Sequence, residues 1–183
     1  SLRAHGWIRD LPKDNTIVNK TGNPLYDSFN FVVPGYNIRP LEMSGAIGSV
    51  QLKKLSSFID KRRKNAKIFK ALFENEVNIR IQHETQVSSW FGFSLILTNS
   101  LSGHRDNLVD ILTKNNIECR PIVAGNFTKN PVIKFLDYEI CGDLAVSDEI
   151  HQNGFFVGND FRDLSNEINW LHSLIKDFEQ NIL

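Results

Sequence analysis

An asparagine and an arginine stand two residues apart at the entrance to a predicted helix, in PGYNIRPLEMSGAIGSVQLKKL (residues 34–55). Asn37 carries a neutral amide and Arg39 a planar guanidinium. Pro40 suits the first position of a helix, because its missing N–H would have no partner there. Amide and guanidinium donors beside a helix start are groups that bind a phosphate dianion. Asn also closes turns by bonding its own backbone, so both interpretations of Asn37 remain open.

His5 and Arg9 form a second pair of candidate ligand-binding residues. If residues 4–9 are helical, the two side chains share one face, since residues four apart lie together on a helix. Donors in that arrangement could bind a substrate phosphate, sugar hydroxyls or a cofactor. The alternative is a structural histidine that is hydrogen-bonded beside Trp7.

Arg120 and Asn126 supply fixed hydrogen-bond donors within CRPIVAGNF. Such donors suit the recognition of sugar or phosphate better than proton transfer. For Arg120 an ion pair on an edge strand is the alternative. The basic run at 61–64 lies on a predicted helix without an aromatic partner, and we interpret it as a solvated surface rather than a phosphate-binding patch.

The composition describes a globular chain with no bias toward a nucleic acid or a membrane. The 183 residues have a formal net charge of zero, 41% hydrophobic and 23% charged residues. No run of about 20 apolar residues occurs. Cys119 and Cys141 do not have metal-ligand spacing, so no metal site is predicted and free thiols in the cytoplasm are expected. The opening Ser-Leu-Arg, without Met, is what we expect from the interior of a longer chain.

Apolar spacing predicts one long helix or two consecutive helices over about residues 40–75, with a bend near Ser56 and Ser57. Gly45 and Gly48 each cost about 1 kcal/mol relative to Ala within a helix, which suggests that another backbone passes close by. Before this helix, residues 29–33 (FNFVV) alternate weakly and could form a short strand.

The second half of the sequence predicts alternating strands and helices. Helices are predicted over about 103–115, with Ser102 as cap, and from Ser165 to the end. Residues 125–153 are predicted to be mainly loop, with a short helix near 132–136. Strands are predicted in SSWFGFSLIL (88–97), IECRPIV (117–123) and GFFVGN (154–159). The fold class is therefore α/β, with helices on a short sheet.

With these motifs in place, the chain resembles a known enzyme family. The GYN-x-R turn followed by a helix of the form M-x-A-A-I-G-x-x-Q-L-x-x-L resembles sugar aminotransferases of the DegT/DnrJ/EryC1/StrS type, which depend on pyridoxal phosphate. LRAHGW, IECRPIVAGNFTKNPV and NGFFVGN resemble the branch that contains keto-deoxy-sugar 3-dehydratases of lipopolysaccharide biosynthesis. Ser44-Gly45-Ala46 departs from the usual small pair, and Arg120 and Asn126 stand where aminating relatives carry histidines.

The resemblance implies the C-terminal part of an aspartate-aminotransferase (type I) fold. Residues 1–39 would end the large cofactor domain and form a dimer-interface segment. Residues 40–75 would be connecting helices, and residues 76–183 a small α/β domain with a mainly antiparallel sheet.

The resemblance also implies roles for the candidate residues. Asn37 and Arg39 would bind the phosphate of pyridoxal or pyridoxamine 5'-phosphate at the interface of a homodimer. His5, Arg9, Arg120 and Asn126 would bind substrate. The family's catalytic lysine, or the histidine that replaces it in 3-dehydratases, lies upstream of the L-R-x-H-G segment, so no catalytic residue is expected here and the chain alone would be inactive.

The implied function is a nucleotide-linked 4-keto-6-deoxy-sugar 3-dehydratase of O-antigen biosynthesis, cytoplasmic, with glutamate as amino donor. Two cysteines cannot supply the four ligands of the iron–sulfur sub-branch. A nucleotide-sugar aminotransferase of the same fold is the first alternative. A non-catalytic dimerisation or sugar-binding module is the second.

Overall fold

The structure, a computed structural model, describes residues 1–23, 27, 30–123 and 125–182. It divides into two compact units, Ser1–Lys53 and Lys54–Leu183. We call these the first unit and the second unit and describe each by itself.

The first unit contains two chain segments that cross at a pair of glycines. A Cβ atom at Gly35 would lie 2.2 Å from the Gly6 nitrogen, and Gly6 itself has φ +87°. Only glycine fits so close a backbone approach without strain. Beside the crossing, isolated antiparallel bridges join Trp7 to Phe31 and Ala4 to Asn37.

This crossing occupies residues 4–9, which were considered as a possible helix. His5 has φ +60°, which a right-handed helix excludes, and only Ile8–Asp10 forms a single 3-10 turn. The helical condition placed on the His5 and Arg9 pair is therefore not met, because contact with a distant segment sets the backbone here. The predicted strand at 29–33 is represented by the Phe31 bridge, and Phe29 lies outside the described residues.

Helix α1, Glu42–Leu52, ends the first unit. It begins after Pro40 rather than at it, because Leu41 is still extended. Every residue of α1 is exposed. Apart from the adjacent residues and the backbone of the same helix, no described atom lies within 4 Å of a Cβ placed at Gly45 or Gly48, so the close backbone neighbour expected from these glycines is not found among the described residues.

The second unit is a four-stranded antiparallel sheet covered by helices. The strand order is β1-β2-β4-β3, and each pair of neighbours is antiparallel. Its elements in chain order are α2 (Leu55–Phe73), β1 (Ile79–Ile81), β2 (Gly92–Leu97), α3 (Arg105–Lys114), β3 (Cys119–Pro121), α4 (Ala145–Asn153), β4 (Gly154–Gly158) and α5 (Ser165–Ile182).

The three predicted strands are confirmed as β2, β3 and β4, whereas β1 and α4 were not predicted. Alternation along β2 buries Phe93, Leu95 and Leu97 completely or nearly so. The Phe93 ring stacks on Phe69 of α2 with ring centroids 4.4 Å apart. Phe91, which lies within the predicted strand, is 75% exposed, because the observed strand begins only at Gly92.

Helices α3 and α5 each bury one apolar face. Leu108 and Leu112 of α3, and Ile168, Leu171, Ile175 and Phe178 of α5, are all buried. The predicted Ser102 cap was wrong, since α3 begins at Arg105 and has no side-chain cap. Helix α1 ends at Leu52 and α2 begins at Leu55, so the interruption lies slightly before the position predicted for the bend. Among the described residues, no helix combines the length and apolarity needed to cross a membrane.

Candidate functional site

In the first unit, His5 and Arg9 both lie against Trp7. The Cζ atom of Arg9 is 3.4 Å from the centre of the indole. The His5 ring centroid lies 5.5 Å away at a 35° tilt, and Phe31 meets the indole edge-on at 5.7 Å. The two predicted substrate-binding residues therefore share an aromatic platform, rather than the face of a helix.

The crossing brings Asn37 to the same place. The His5 amide donates to the Tyr36 carbonyl at 3.1 Å, and the Ile38 amide donates to Arg3 at 3.1 Å. In this pairing Asn37 lies opposite Ala4, directly before His5. Residues predicted from two separate motifs thus sit on adjacent backbone segments, and Arg39 follows just beyond.

The side chains of Asn37 and Arg39 are suited to binding a phosphate. Both are exposed. Among the described residues, neither side chain is engaged in a hydrogen bond or an ion pair within the protein. A neutral amide and the five donors of a guanidinium are therefore free to bind an oxyanion from outside the unit. The turn-closing alternative for Asn37 has no side-chain bond to support it among the described residues.

Arg120 lies in the second unit on β3, at an edge of the sheet. Its Nη2 atom donates to Glu118 at 2.7 Å, and both side chains are mostly exposed. This is the ion pair anticipated as the alternative to ligand binding. Arg120 pairs across the sheet with Phe156, and both line a groove of about 390 Å³ together with Phe91 and Arg162.

Asn126 is buried, with 3% of its surface exposed. Its side-chain oxygen accepts from the Thr128 amide at 3.0 Å and from the Thr128 hydroxyl at 2.7 Å. Its amide nitrogen donates to Asp148. The side chain thus caps the 3-10 turn Phe127–Lys129, and binding substrate would require it to release one of these bonds.

A pair of buried amides, Asn65 and Asn159, was not predicted. The Asn65 nitrogen donates to the Asn159 side-chain oxygen at 3.1 Å and to the Arg162 carbonyl at 2.8 Å. Asn159 in turn donates to the carbonyls of Trp90 and Arg62 at 2.9 and 3.1 Å. These bonds fix the loop that follows β4 and forms one rim of the groove.

A signal for Asn65 was present in the sequence. It falls in helical register with Phe58, Phe69 and Phe73, on the face that α2 turns toward the core. A polar residue on such a face must find partners. The sequence could not name Asn159, because the two residues lie 94 positions apart.

The basic run of α2 anchors a neighbouring segment. Arg62 donates to the Trp90 carbonyl at 2.7 Å, and Arg63 donates to Ser88 at 3.0 Å. Lys64 pairs with Asp163 at 3.3 Å. The run is therefore less solvated than predicted, because both arginines bond backbone carbonyls.

The described residues contain no group of three or more His, Cys, Asp or Glu side chains arranged to hold a metal ion. Both cysteines are free thiols. Burial, reinforced by the charge of Glu118, raises the pKa of Cys119 to about 11, so this thiol is a poor nucleophile.

Sequence comparison now defines the class of the protein. A profile of the DegT/DnrJ/EryC1/StrS aminotransferase family matches residues 1–159, and the chain belongs to this family. Its fold is that of pyridoxal-phosphate-dependent aminotransferases, as predicted.

Two curated relatives are particularly similar. The chain is 55% identical over 177 residues to a GDP-4-keto-6-deoxy-D-mannose 3-dehydratase of Yersinia pseudotuberculosis, covering 96% of this chain and 45% of the relative. It is 48% identical to the Escherichia coli O55:H7 protein of the same name, covering 96% and 46%. The chain thus spans less than half the length of the curated relatives it matches.

Similar solved structures are also 3-dehydratases, and the chain again covers less than half of each. The E. coli GDP-4-keto-6-deoxy-D-mannose-3-dehydratase with bound hydrated PLP has a TM-score of 0.88 at 48% identity, covering 94% of this chain and 45% of that one. A GDP-4-keto-6-deoxymannose-3-dehydratase with a trapped PLP-glutamate geminal diamine has a TM-score of 0.87 at 47% identity, with the same coverage.

Proposed function

We propose that this chain is the C-terminal portion of a pyridoxal-phosphate-dependent GDP-4-keto-6-deoxy-sugar 3-dehydratase of lipopolysaccharide biosynthesis. The observation that carries the proposal is the 55% identity to the Yersinia 3-dehydratase over 96% of the chain. Residues 1–39 would complete the large cofactor domain, residues 40–75 connect the domains, and residues 76–183 form the small domain. The enzyme would act in the cytoplasm. Its substrates would be GDP-sugars.

The first unit supplies the cofactor contact in this proposal. Asn37 and Arg39 would hold the cofactor phosphate, because both are exposed donors without a described partner in the chain. When bound, the cofactor supplies the electron sink for the removal of the C3 hydroxyl. The residues of this chain bind and orient, and the reacting base lies elsewhere in the protein.

Substrate contacts would come from His5 and Arg9 in the first unit and from Arg120 and Asn126 in the second. Arg9 is the strongest of these, since its guanidinium is exposed and its plane is already set by Trp7. Arg120 can exchange its exposed partner Glu118 for a ligand at low cost, because exposed ion pairs are worth about 0–1 kcal/mol. The amino donor would be glutamate, as the PLP-glutamate adduct of the similar structure suggests.

A homodimer is part of the proposal. Helix α1 exposes three large apolar side chains at helical spacing, since Met43 is 72%, Ile47 63% and Val50 52% exposed. An apolar stripe of this kind marks an interaction surface. A second copy packed there would also provide the close backbone neighbour that Gly45 and Gly48 indicate.

Turnover by the full-length protein tests the proposal. The protein is incubated with GDP-4-keto-6-deoxymannose, glutamate and pyridoxal phosphate, and the sugar product is identified by mass spectrometry. A product that has lost the C3 oxygen supports the dehydratase. A product that keeps this oxygen and carries a new amino group at C4 identifies the aminotransferase instead.

The coding sequence upstream of Ser1 provides an independent check. A histidine in the position of the catalytic residue is expected for a dehydratase, and a lysine for an aminotransferase. A gene that encodes only these 183 residues would identify a non-catalytic module and overturn the proposal.

A further inference from the structure

We propose that Trp7 is a positioning residue that holds the Arg9 guanidinium flat and ready to bind a phosphate oxyanion. This inference rests on the proposed function and adds to it a ligand class for Arg9 and a role for Trp7.

The contact is a stacked cation–π pair. The Arg9 Cζ atom lies 3.4 Å from the centre of the Trp7 ring, well inside the 6 Å within which such pairs attract. Tryptophan is the strongest aromatic partner for a cation, and a planar guanidinium stacks on its face. Stacking uses the face of the guanidinium and leaves the N–H groups at its edge free.

The edge of Arg9 has no competing acceptor among the residues that the structure describes. Arg9 is exposed, and among the described side chains it takes part in no ion pair and no hydrogen bond. An unpaired guanidinium of fixed plane suits bidentate binding of phosphate, since less freedom is lost per hydrogen bond. The ligand is therefore a phosphate oxyanion, either of the GDP-sugar or of the cofactor.

Two aromatic rings contact the Trp7 indole, and a hydrogen bond fixes its backbone. Phe31 packs edge-on against the indole at 5.7 Å, and the His5 ring lies 5.5 Å from it. The Trp7 carbonyl accepts from the Ser1 hydroxyl at 3.0 Å. These contacts, together with the backbone bridge from Trp7 to Phe31, determine the position of the indole beneath Arg9.

A double-mutant cycle in the full-length protein tests whether Trp7 acts through Arg9. In Trp7→Leu we expect about two- to fivefold weaker binding of the oxyanion ligand, the size of an exposed cation–π contact. In an Arg9→Ala background the same substitution should change nothing further. GDP and pyridoxal phosphate are titrated separately, and the ligand that weakens identifies the phosphate bound by Arg9.

An equal loss of ligand affinity from Trp7→Leu in the presence and absence of Arg9 would overturn the proposal, because Trp7 would then act independently of Arg9. Unchanged binding of both ligands in Trp7→Leu would overturn it as well. Trp170→Phe serves as the control, since Trp170 is a half-exposed tryptophan of α5 in the second unit.

A second measurement needs no ligand. Stacking on an indole shifts the Arg9 Nε–H proton resonance upfield, so this NMR signal should move to its ordinary position in Trp7→Leu and stay in place in Trp170→Phe. An unshifted Arg9 signal in the wild type refutes the positioning role. A shifted signal in a protein that does not turn over GDP-4-keto-6-deoxymannose rejects the proposed function alone.

Discussion

Asn65 is predicted to be a large single contributor to the stability of the second unit. It is 1% exposed, and its side chain bonds four groups of the loop after β4. The four partners are the Asn159 side-chain oxygen, the carbonyls of Asp160 and Arg162, and the Leu164 amide. Asn65→Ala would leave all four without this partner.

The cost follows from the number of bonds. Each hydrogen bond contributes about 0.5–1.5 kcal/mol net, and a buried group left unpaired costs more. Some of the loop groups can form hydrogen bonds with water instead, because Asp160 and Arg162 lie near the surface. We therefore expect Asn65→Ala to lower the free energy of unfolding by about 3 kcal/mol. For a chain of this length that corresponds to a melting temperature lower by about 6–12 °C.

The assay is urea denaturation combined with hydrogen exchange. Besides the lower stability, the Leu164 amide should exchange faster, since Asn65 is its acceptor at 3.2 Å. Asn169→Ala is the matched control, because Asn169 is exposed and donates only to the Ser165 carbonyl of its own helix. A loss in Asn65→Ala no greater than in the control would refute this account of the buried amides.

Three further predictions concern other parts of the chain. At pH 8 iodoacetamide should label exposed Cys141 and spare Cys119, because burial raises the pKa of Cys119 to about 11. Cys141→Ser should abolish the fast phase of labelling, and rapid labelling in that variant would contradict the assignment. The stability that the Glu76 carboxylate contributes should be lost as the pH decreases below about 4.3, the ordinary glutamate pKa. Burial alone would raise the pKa of Glu76, but hydrogen bonds from His172 and Lys176 outweigh burial and lower this pKa. The stabilisation is therefore lost as the Glu76 carboxylate takes up a proton. The melting temperature of Glu76→Gln should depend less on pH in this acid range. Gly35→Ala should disrupt the crossing, because its Cβ would lie 2.2 Å from the Gly6 nitrogen. Gly22→Ala leaves that contact intact and adds only the strain of a side chain at φ +82°. Equal circular dichroism and melting temperatures for the two variants would disprove the crossing.

Elements with strong local patterns could be predicted from the sequence. Strict alternation in β2 and the apolar face of α5 each bury the residues they indicate. Strand β1 has only three residues and an edge position, so it has too little pattern to be recognised. The polar sequence AVSDEIHQN likewise conceals α4, which buries only Asn153.

The sequence suggests candidate site residues but not their arrangement. The motif around Asn37 and the motif around His5 were both recognised, yet nothing local shows that they pair. The left-handed conformation of His5 arises from contact with a segment 30 residues away at Gly35. His5 and Arg9 therefore lie together through their shared contacts with Trp7, and not through helical spacing.

The most direct measurement is the affinity of the full-length protein for pyridoxal phosphate, because the central claim is that this chain holds the cofactor phosphate of a 3-dehydratase. Asn37→Ala and Arg39→Ala are titrated beside wild type, with Asn169→Ala as control. Each lost charge-assisted bond is worth about 1.5–3 kcal/mol, so we predict roughly 10- to 150-fold weaker binding for each variant and unchanged binding for the control. Wild-type affinity in both Asn37→Ala and Arg39→Ala would contradict the account.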